Sequence, residues 1–265
     1  MNSELLKQVL EVSRQSAKAA GRLLKARAGI VISLKKQNDF VTNLDYESEK
    51  IIISKIKQQF PSHQIISEET LSYQSITDNT CTWVVDPLDG TNNYIHGLPA
   101  YSISIGFYIG KNLSFGLIYI PATDEMFYGI LDKGAYLNDK PIQVSNTRQY
   151  TSALIVATIP PSNLEAKFKG YIDKMQILRK KIAGFRYSGS FALDMAYTAA
   201  GRYDLCLSLH SNIWDIAAGQ IIIKEAGGNA FSLRNKDPYL FSNTDSSIIA
   251  GNQELILNLL NYFDL

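Results

Sequence analysis

Residues 83–99 read WVVDPLDGTNNYIHGLP. An apolar run ends in two aspartates, Asp86 and Asp89, separated by Pro87 and Leu88 and followed by Gly90 and Thr91. The run predicts a buried strand, and carboxylates at the end of such a strand are costly unless a positive partner neutralises them. Mg²⁺ meets that need, because it takes oxygen ligands in near-octahedral geometry and keeps several waters. With a Pro-Leu bend between them, Asp86 and Asp89 can converge on one spot, and the Leu88 carbonyl lies between them. If TNNYIHG opens a short helix, its free N–H groups and positive dipole end point to the same spot and suit a phosphate. Metal and phosphate together imply phosphoryl chemistry. The alternative is a plain turn, since Asp-Pro, Asp-Gly and a Thr cap are common in turns.

Two more acidic positions bear on that choice. Glu68 and Glu69 follow a short strand in QIISEE, and Asp215 opens a helix in WDIAAG. Read singly, the first is a solvated acidic turn and the second a helix cap.

The rest of the chain supplies the frame. Leu5, Leu6, Val9, Leu10, Ala17, Ala20, Leu23 and Leu24 recur near helical period and predict an amphipathic first helix, not a secretory leader. GIVISLKKQNDFV predicts two short strands around a polar turn, and Thr42 then precedes a second helix that Pro61 ends. From Gln64 to Tyr136, β-branched and aromatic runs predict several antiparallel strands. Beyond about residue 150 strands alternate with helices, which suggests a second layered unit. The expected division is 1–150, carrying the antiparallel sheet and the metal and phosphate motifs, and 151–265, supplying Asp215 and a pocket wall.

With 26 basic and 25 acidic side chains in 265 residues, the formal charge of +1 gives no global pull toward nucleic acid or an anionic membrane. No run approaches the roughly 18 apolar residues of a membrane span. The two cysteines, Cys81 and Cys206, have no zinc spacing, so the reducing cytoplasm is the expected compartment.

DPLDGTNNYIHGLP and WDIAAGQIIIKEAGG resemble the two signatures of the inositol monophosphatase family, and SEE and DFVTNLD stand where the family has G-E-E and D-x-V-T-x-x-D. The four segments keep the family's order and spacing over nearly the whole chain. The resemblance implies an α+β fold, a layered α-β-α-β-α sandwich, and Mg²⁺-dependent hydrolysis of phosphate monoesters, inhibited by Li⁺ in many members. By resemblance, Glu68, Asp86 and the Leu88 carbonyl would hold a first metal and Asp86, Asp89 and Asp215 a second. Glu68 could help place a third through water. The Gly90 and Thr91 amides would bind phosphate, and the Thr91 hydroxyl with Asp45 would orient the attacking water. By analogy Lys35 or Lys36 would approach the site, the alternative being a solvated hairpin tip, and a homodimer is expected.

Two positions depart from the inositol pattern. Ser208 stands where the family carries a glutamate that bonds a ring hydroxyl, and Phe191 replaces an alanine in the pocket-lining segment Gly189-Ser190-Phe191. Phe191 would narrow an inositol pocket, stack on a nucleobase or fill core. Inositol 1-phosphate is the leading substrate; 3′-phosphoadenosine 5′-phosphate, fructose 1,6-bisphosphate or another sugar phosphate are alternatives. A regulatory binding protein with weak phosphatase activity is the reading from another class.

Overall fold

The computed structural model describes residues 3–36, 39–70, 76–158, 169–233, 236–238 and 247–260. Gln37, Asn38 and the side chains of Lys36 and Asp39, part of the expected hairpin turn, lie outside the described residues.

The first helix, α1 (Ser3–Ala26), buries Leu6, Val9, Ala17, Ala20 and Leu24, the stripe its period predicts. A hairpin, β1 (Ile32–Lys36) with β2 (Asp39–Thr42), leads into α2 (Asn43–Gln59), whose N-cap is Thr42. The chain then builds a seven-stranded sheet in the order β3-β4-β5-β6-β7-β8-β9. Its strands are β3 (Gln64–Ser67), β4 (Cys81–Asp89), β5 (Ser102–Ile109), β6 (Asn112–Ile120), β7 (Glu125–Ile130), β8 (Gly134–Leu137) and β9 (Lys140–Pro141). A short α3 (Thr91–Ile95) joins β4 to β5.

One expectation is corrected: β3 pairs parallel with β4, while the remaining pairs in this sheet are antiparallel. The connection from Glu68 to Thr80 is long enough for the chain to return to the start of the sheet, which a tight hairpin is not.

The second sheet has the order β11-β10-β12-β14-β13, formed by β10 (Leu154–Ala157), β11 (Gly184–Arg186), β12 (Leu205–Ser208), β13 (Asn229–Ser232) and β14 (Ile248–Gly251). It is mixed: β10 runs parallel to both its neighbours, whereas β14 is antiparallel to both of its own. Four helices interleave with these strands: α4 (Lys169–Arg179), α5 (Phe191–Ala199), α6 (Ile213–Glu225) and α7 (Gln253–Leu260).

The hydrophobic clusters define the layers. Leu6, Leu24, Ile52 and Ile56 from α1 and α2 pack on Trp83, Val85 and Ile105 of one sheet face. On the other face Ile118 and Phe127 meet Met195 of α5 and Ile221 of α6, which also bury Val156 and Cys206 of the second sheet. Leu178 of α4 and Leu255 and Leu259 of α7 cover that sheet's far side. The result is α-β-α-β-α, and the central pair α5 and α6 belongs to both cores.

What seats α6 is a line of glycines. Gly106 pairs with Gly116 and Gly116 with Gly129 across β5, β6 and β7. A Cβ on Gly116 would lie 2.5 Å from the Ala218 carbonyl oxygen, and one on Gly129 would lie 2.8 Å from Ile222 Cα. The bare strip lets α6 approach at backbone distance, which brings its first turn to the end of β4; there Ser104 Oγ donates to the Trp214 carbonyl at 3.0 Å. Overpacking of this kind costs about 1–3 kcal/mol per added group. Gly116→Val should therefore lose about 3 kcal/mol in urea unfolding, and an unchanged midpoint would show that α6 is not held by this contact.

Candidate active site

The aspartates of β4 meet because of a β-bulge. Residues three apart on a regular strand face opposite sides of a sheet. Here Asp86 pairs with Ser104 and Asp89 with Ser102, so three residue steps on β4 match two on β5. The extra residue in Pro87-Leu88 restores both carboxylates to one face. Proline is tolerated because a bulge does not require its missing N–H. That face is the one α6 covers, since Val84 packs with Ile213 and Ala217.

Each carboxylate is held by a separate device. The Leu88 N–H donates to Asp86 Oδ1 at 2.9 Å. Asp89 sits at the N-terminus of α5, where the Ala192 N–H (2.7 Å) and Ser190 Oγ (2.6 Å) donate to its Oδ2. Ser102 Oγ adds a third donor at 3.3 Å. Asp215 is the third residue of α6 and closes a capping box with Asn212, whose N–H reaches its Oδ2 at 2.6 Å. Glu68 follows β3, its N–H bonded to the Val85 carbonyl at 3.2 Å. Lys35 Nζ pairs with Glu68 at 3.2 Å and with Glu69 at 2.6 Å.

Asp45 is 1% exposed and divides its two carboxylate oxygens between the α2 cap and Thr91. Its Oδ2 accepts from the Thr42 N–H at 2.8 Å and the Thr42 hydroxyl at 2.6 Å, closing the α2 cap. Its Oδ1 accepts from Thr91 Oγ1 at 3.0 Å, a contact spanning 46 positions. Thr91 Oγ1 also lies 3.1 Å from the Leu88 carbonyl, a predicted ligand.

Gly90 caps α3 with φ of 92°, in the left-handed region that favours glycine. A Cβ there would meet the Ala100 carbonyl at 2.9 Å and Ser190 Cβ at 3.1 Å. Gly189 has φ of 84° and lies against Asn93, so the Ser188–Ser190 turn is clamped onto α3.

The electrostatics show what the group lacks. Burial, then the charges of Glu68, Asp89 and Asp215, push the Asp86 carboxyl well above its usual range. Asp215 is raised well above it too, by burial and then by Asp89 and Glu68. Asp89 and Glu68 are raised mainly by burial, despite the donors around them. Burial also pushes Glu69 up to about 7 against the pull of Lys35. For Lys35, burial acts downward but the two glutamates outweigh it and raise the ammonium.

Four mutually repelling carboxylates and a backbone carbonyl form an all-oxygen donor set short of positive charge, which fits a hard divalent cation. As placed, each carboxylate is turned to its own donor. Among the described residues no three His, Cys, Asp or Glu side chains close on one point. The grouping is electrostatic and topological; it is not a finished cage.

Both side chains expected in the pocket wall are buried. Ser208 is fully buried; it accepts from Thr158 Oγ1 and Ser211 Oγ, each at 2.8 Å, and donates to the His210 carbonyl at 3.1 Å. Phe191 is buried in the core between α5, α6 and the first sheet, so of its three readings the structure places it as core filling. Ser102 and Ser190 as partners of Asp89 had no signal in spacing, because the register of β4 on β5 and the seating of α5 create those contacts.

Comparison with known proteins agrees with this architecture. The family model described as "Inositol monophosphatase family" matches residues 5–262. "Inositol monophosphatase 1" of Solanum lycopersicum is 36% identical over 255 residues, covering 94% of this chain and 92% of that protein. "Nus factor SuhB" of Pasteurella multocida is 34% identical over 257 residues, covering 96% and 94%. The crystal structure of the extragenic suppressor protein SuhB from Bartonella henselae superposes with a TM-score of 0.89 at 32% identity, covering 97% of this chain and 98% of that one. No helix among the described residues is long and apolar enough to cross a membrane. With the family model matching residues 5–262 and a relative 36% identical almost end to end, the chain belongs to the inositol monophosphatase family, whose members are phosphomonoesterases.

Proposed function

We propose that this protein hydrolyses a phosphate monoester with Mg²⁺, inositol 1-phosphate being the leading substrate. The observation that carries the reading is the Thr91–Asp45 hydrogen bond at the mouth of the carboxylate group. With its proton given to Asp45, the Thr91 hydroxyl keeps lone pairs to accept from a water and fix its direction of attack. Glu68, Asp86, Asp89, Asp215 and the Leu88 carbonyl would hold the metal. When bound, Mg²⁺ acidifies water and screens the charge of phosphate and leaving oxygen. The Gly90 and Thr91 N–H groups would receive the phosphate, aided by the orientation of α3. Family membership further supports inhibition by Li⁺, a homodimer and a cytoplasmic location as parts of this reading.

The choice of inositol 1-phosphate rests on relatives bearing that activity in their names. The burial of Phe191 removes the ring as a stacking surface for a nucleobase, which weakens the nucleotide alternative. A second reading, a regulatory binding protein with dispensable activity, is favoured by relatives named as Nus factors.

The test is Mg²⁺-dependent phosphate release from inositol 1-phosphate, 3′-phosphoadenosine 5′-phosphate, fructose 1,6-bisphosphate and glycerol 2-phosphate. Preference for inositol 1-phosphate is expected. Preference for another ester would replace the substrate and keep the reaction, and silence on all four would leave the binding reading standing.

A further inference from the structure

Helix α2 carries three buried polar side chains at Asp45, Ser48 and Glu49, with exposures of 1%, 0% and 3%. Their spacing of three and four residues puts them on one helical face. Each reaches a different segment of the site. Asp45 accepts from Thr91, and Ser48 Oγ donates to the Pro87 carbonyl at 2.8 Å, inside the bulge between Asp86 and Asp89. Glu49 Oε1 accepts from the Glu69 N–H, the Thr70 N–H and Thr70 Oγ1, each at 3.2 Å.

We propose that α2 aligns the metal site, and that Glu49 is a positioning residue that fixes the turn after β3 so that Glu68 faces Asp86. The inference rests on the reading of Glu68 as a metal ligand. Three donors converging on one oxygen pin two consecutive peptides immediately beyond Glu68. The acceptor geometry rather than the charge holds this turn, since a neutral oxygen at the same place satisfies the same N–H groups. The turn also opposes Lys35, which pairs with both Glu68 and Glu69 and, if the turn relaxed, would keep Glu68 as its own partner.

The experiment uses full-length protein freed of metal with EDTA and titrated with Mg²⁺ by calorimetry, alongside the Mg²⁺ midpoint of phosphate release. Glu49→Ala, Glu49→Gln and Glu49→Asp are compared with wild type and an Asp86→Asn control. Glu49→Ala is expected to weaken Mg²⁺ binding about tenfold. Glu49→Asp, which withdraws the acceptor by a methylene, should weaken it several-fold. Glu49→Gln retains an acceptor oxygen and should bind within about threefold of wild type. At saturating Mg²⁺, kcat should recover in all three. If Glu49→Ala or Glu49→Asp melts earlier yet binds Mg²⁺ as wild type does, Glu49 is a fold residue only and the proposal fails. Should Glu49→Ala not fold, Glu49→Asp against Glu49→Gln decides the matter. Absence of Mg²⁺ binding by the wild type, or unaltered binding by Asp86→Asn, would instead overturn the metal reading itself.

Discussion

Asp215→Asn is expected to abolish Mg²⁺-dependent phosphate release, by about a thousandfold or more, while raising the melting temperature of the metal-free protein. The loss follows from taking a charged ligand from a metal asked to stabilise a leaving oxygen, a contribution of several kcal/mol, where each 1.36 kcal/mol is tenfold in rate. The gain follows from electrostatics. Desolvation by the surrounding fold, then the charges of Asp89 and Glu68, raise the Asp215 carboxyl well above its ordinary range. An amide occupies the same volume without repelling them. A gain of about 1 kcal/mol corresponds to about 2–4 °C in a chain of this size. Excess Mg²⁺ should invert the order, since a ligand at a hundred times its Kd stabilises the wild type by about 2.7 kcal/mol. A variant that melts below wild type without metal would mean that the like charges are not what raises Asp215.

The same shift contributes to the pH dependence of the metal-free protein. The folded pKa of Asp215, and of Asp86 with it, lies above the unfolded value, so folding binds protons. Each group is therefore neutral in both states at low pH and costs nothing there. Stability is lost as pH rises from the unfolded pKa through the raised folded one, and the full penalty stands above it. Mg²⁺ should flatten this slope, because the ion replaces the proton as counter-charge.

Much of this site was legible in the residues, for identifiable reasons. Asp86, Asp89, Gly90 and Thr91 are contiguous, and a strand that ends in charge has few physical outcomes, so local sequence carried them. The five layers were expected from the family resemblance. Periodicity found α1 and α2 but not the parallel pairing of β3, which depends on where a long connection returns. The glycine line at 106, 116 and 129 reads as three unrelated residues until the strand register puts them side by side. Glu49 and Ser48 resemble an ordinary solvated helix face in sequence, and only the packing of α2 on β4 buries them. By resemblance Ser208 replaces a glutamate that bonds a ring hydroxyl and Phe191 a pocket-lining alanine; here the first bonds Thr158, Ser211 and His210 and the second packs in the core.

Asp45→Asn should separate water orientation from metal binding. Asp45 bonds Thr91 directly and is not among the residues assigned to the metal, so its loss should fall on kcat. A positioned acid–base group contributes typically about 10²–10⁴ in rate. Asparagine keeps one oxygen, and its amide can donate where the carboxylate could only accept. If the remaining oxygen serves the Thr42 cap, an NH₂ faces Thr91 Oγ1, the threonine proton loses its acceptor and turns toward the Leu88 carbonyl 3.1 Å away. The lone pairs that would receive the water then point elsewhere. We expect kcat to fall by about 10²–10³ with the Mg²⁺ midpoint within about threefold of wild type, and with the α2 cap weakened by about 1 kcal/mol or less. In the metal-free protein burial raises the Asp45 carboxyl above the usual range although Thr42 and Thr91 donate to it. A variant that keeps wild-type kcat but loses Mg²⁺ affinity would reassign Asp45 from the water to the metal, and with it the meaning of the Thr91 hydrogen bond.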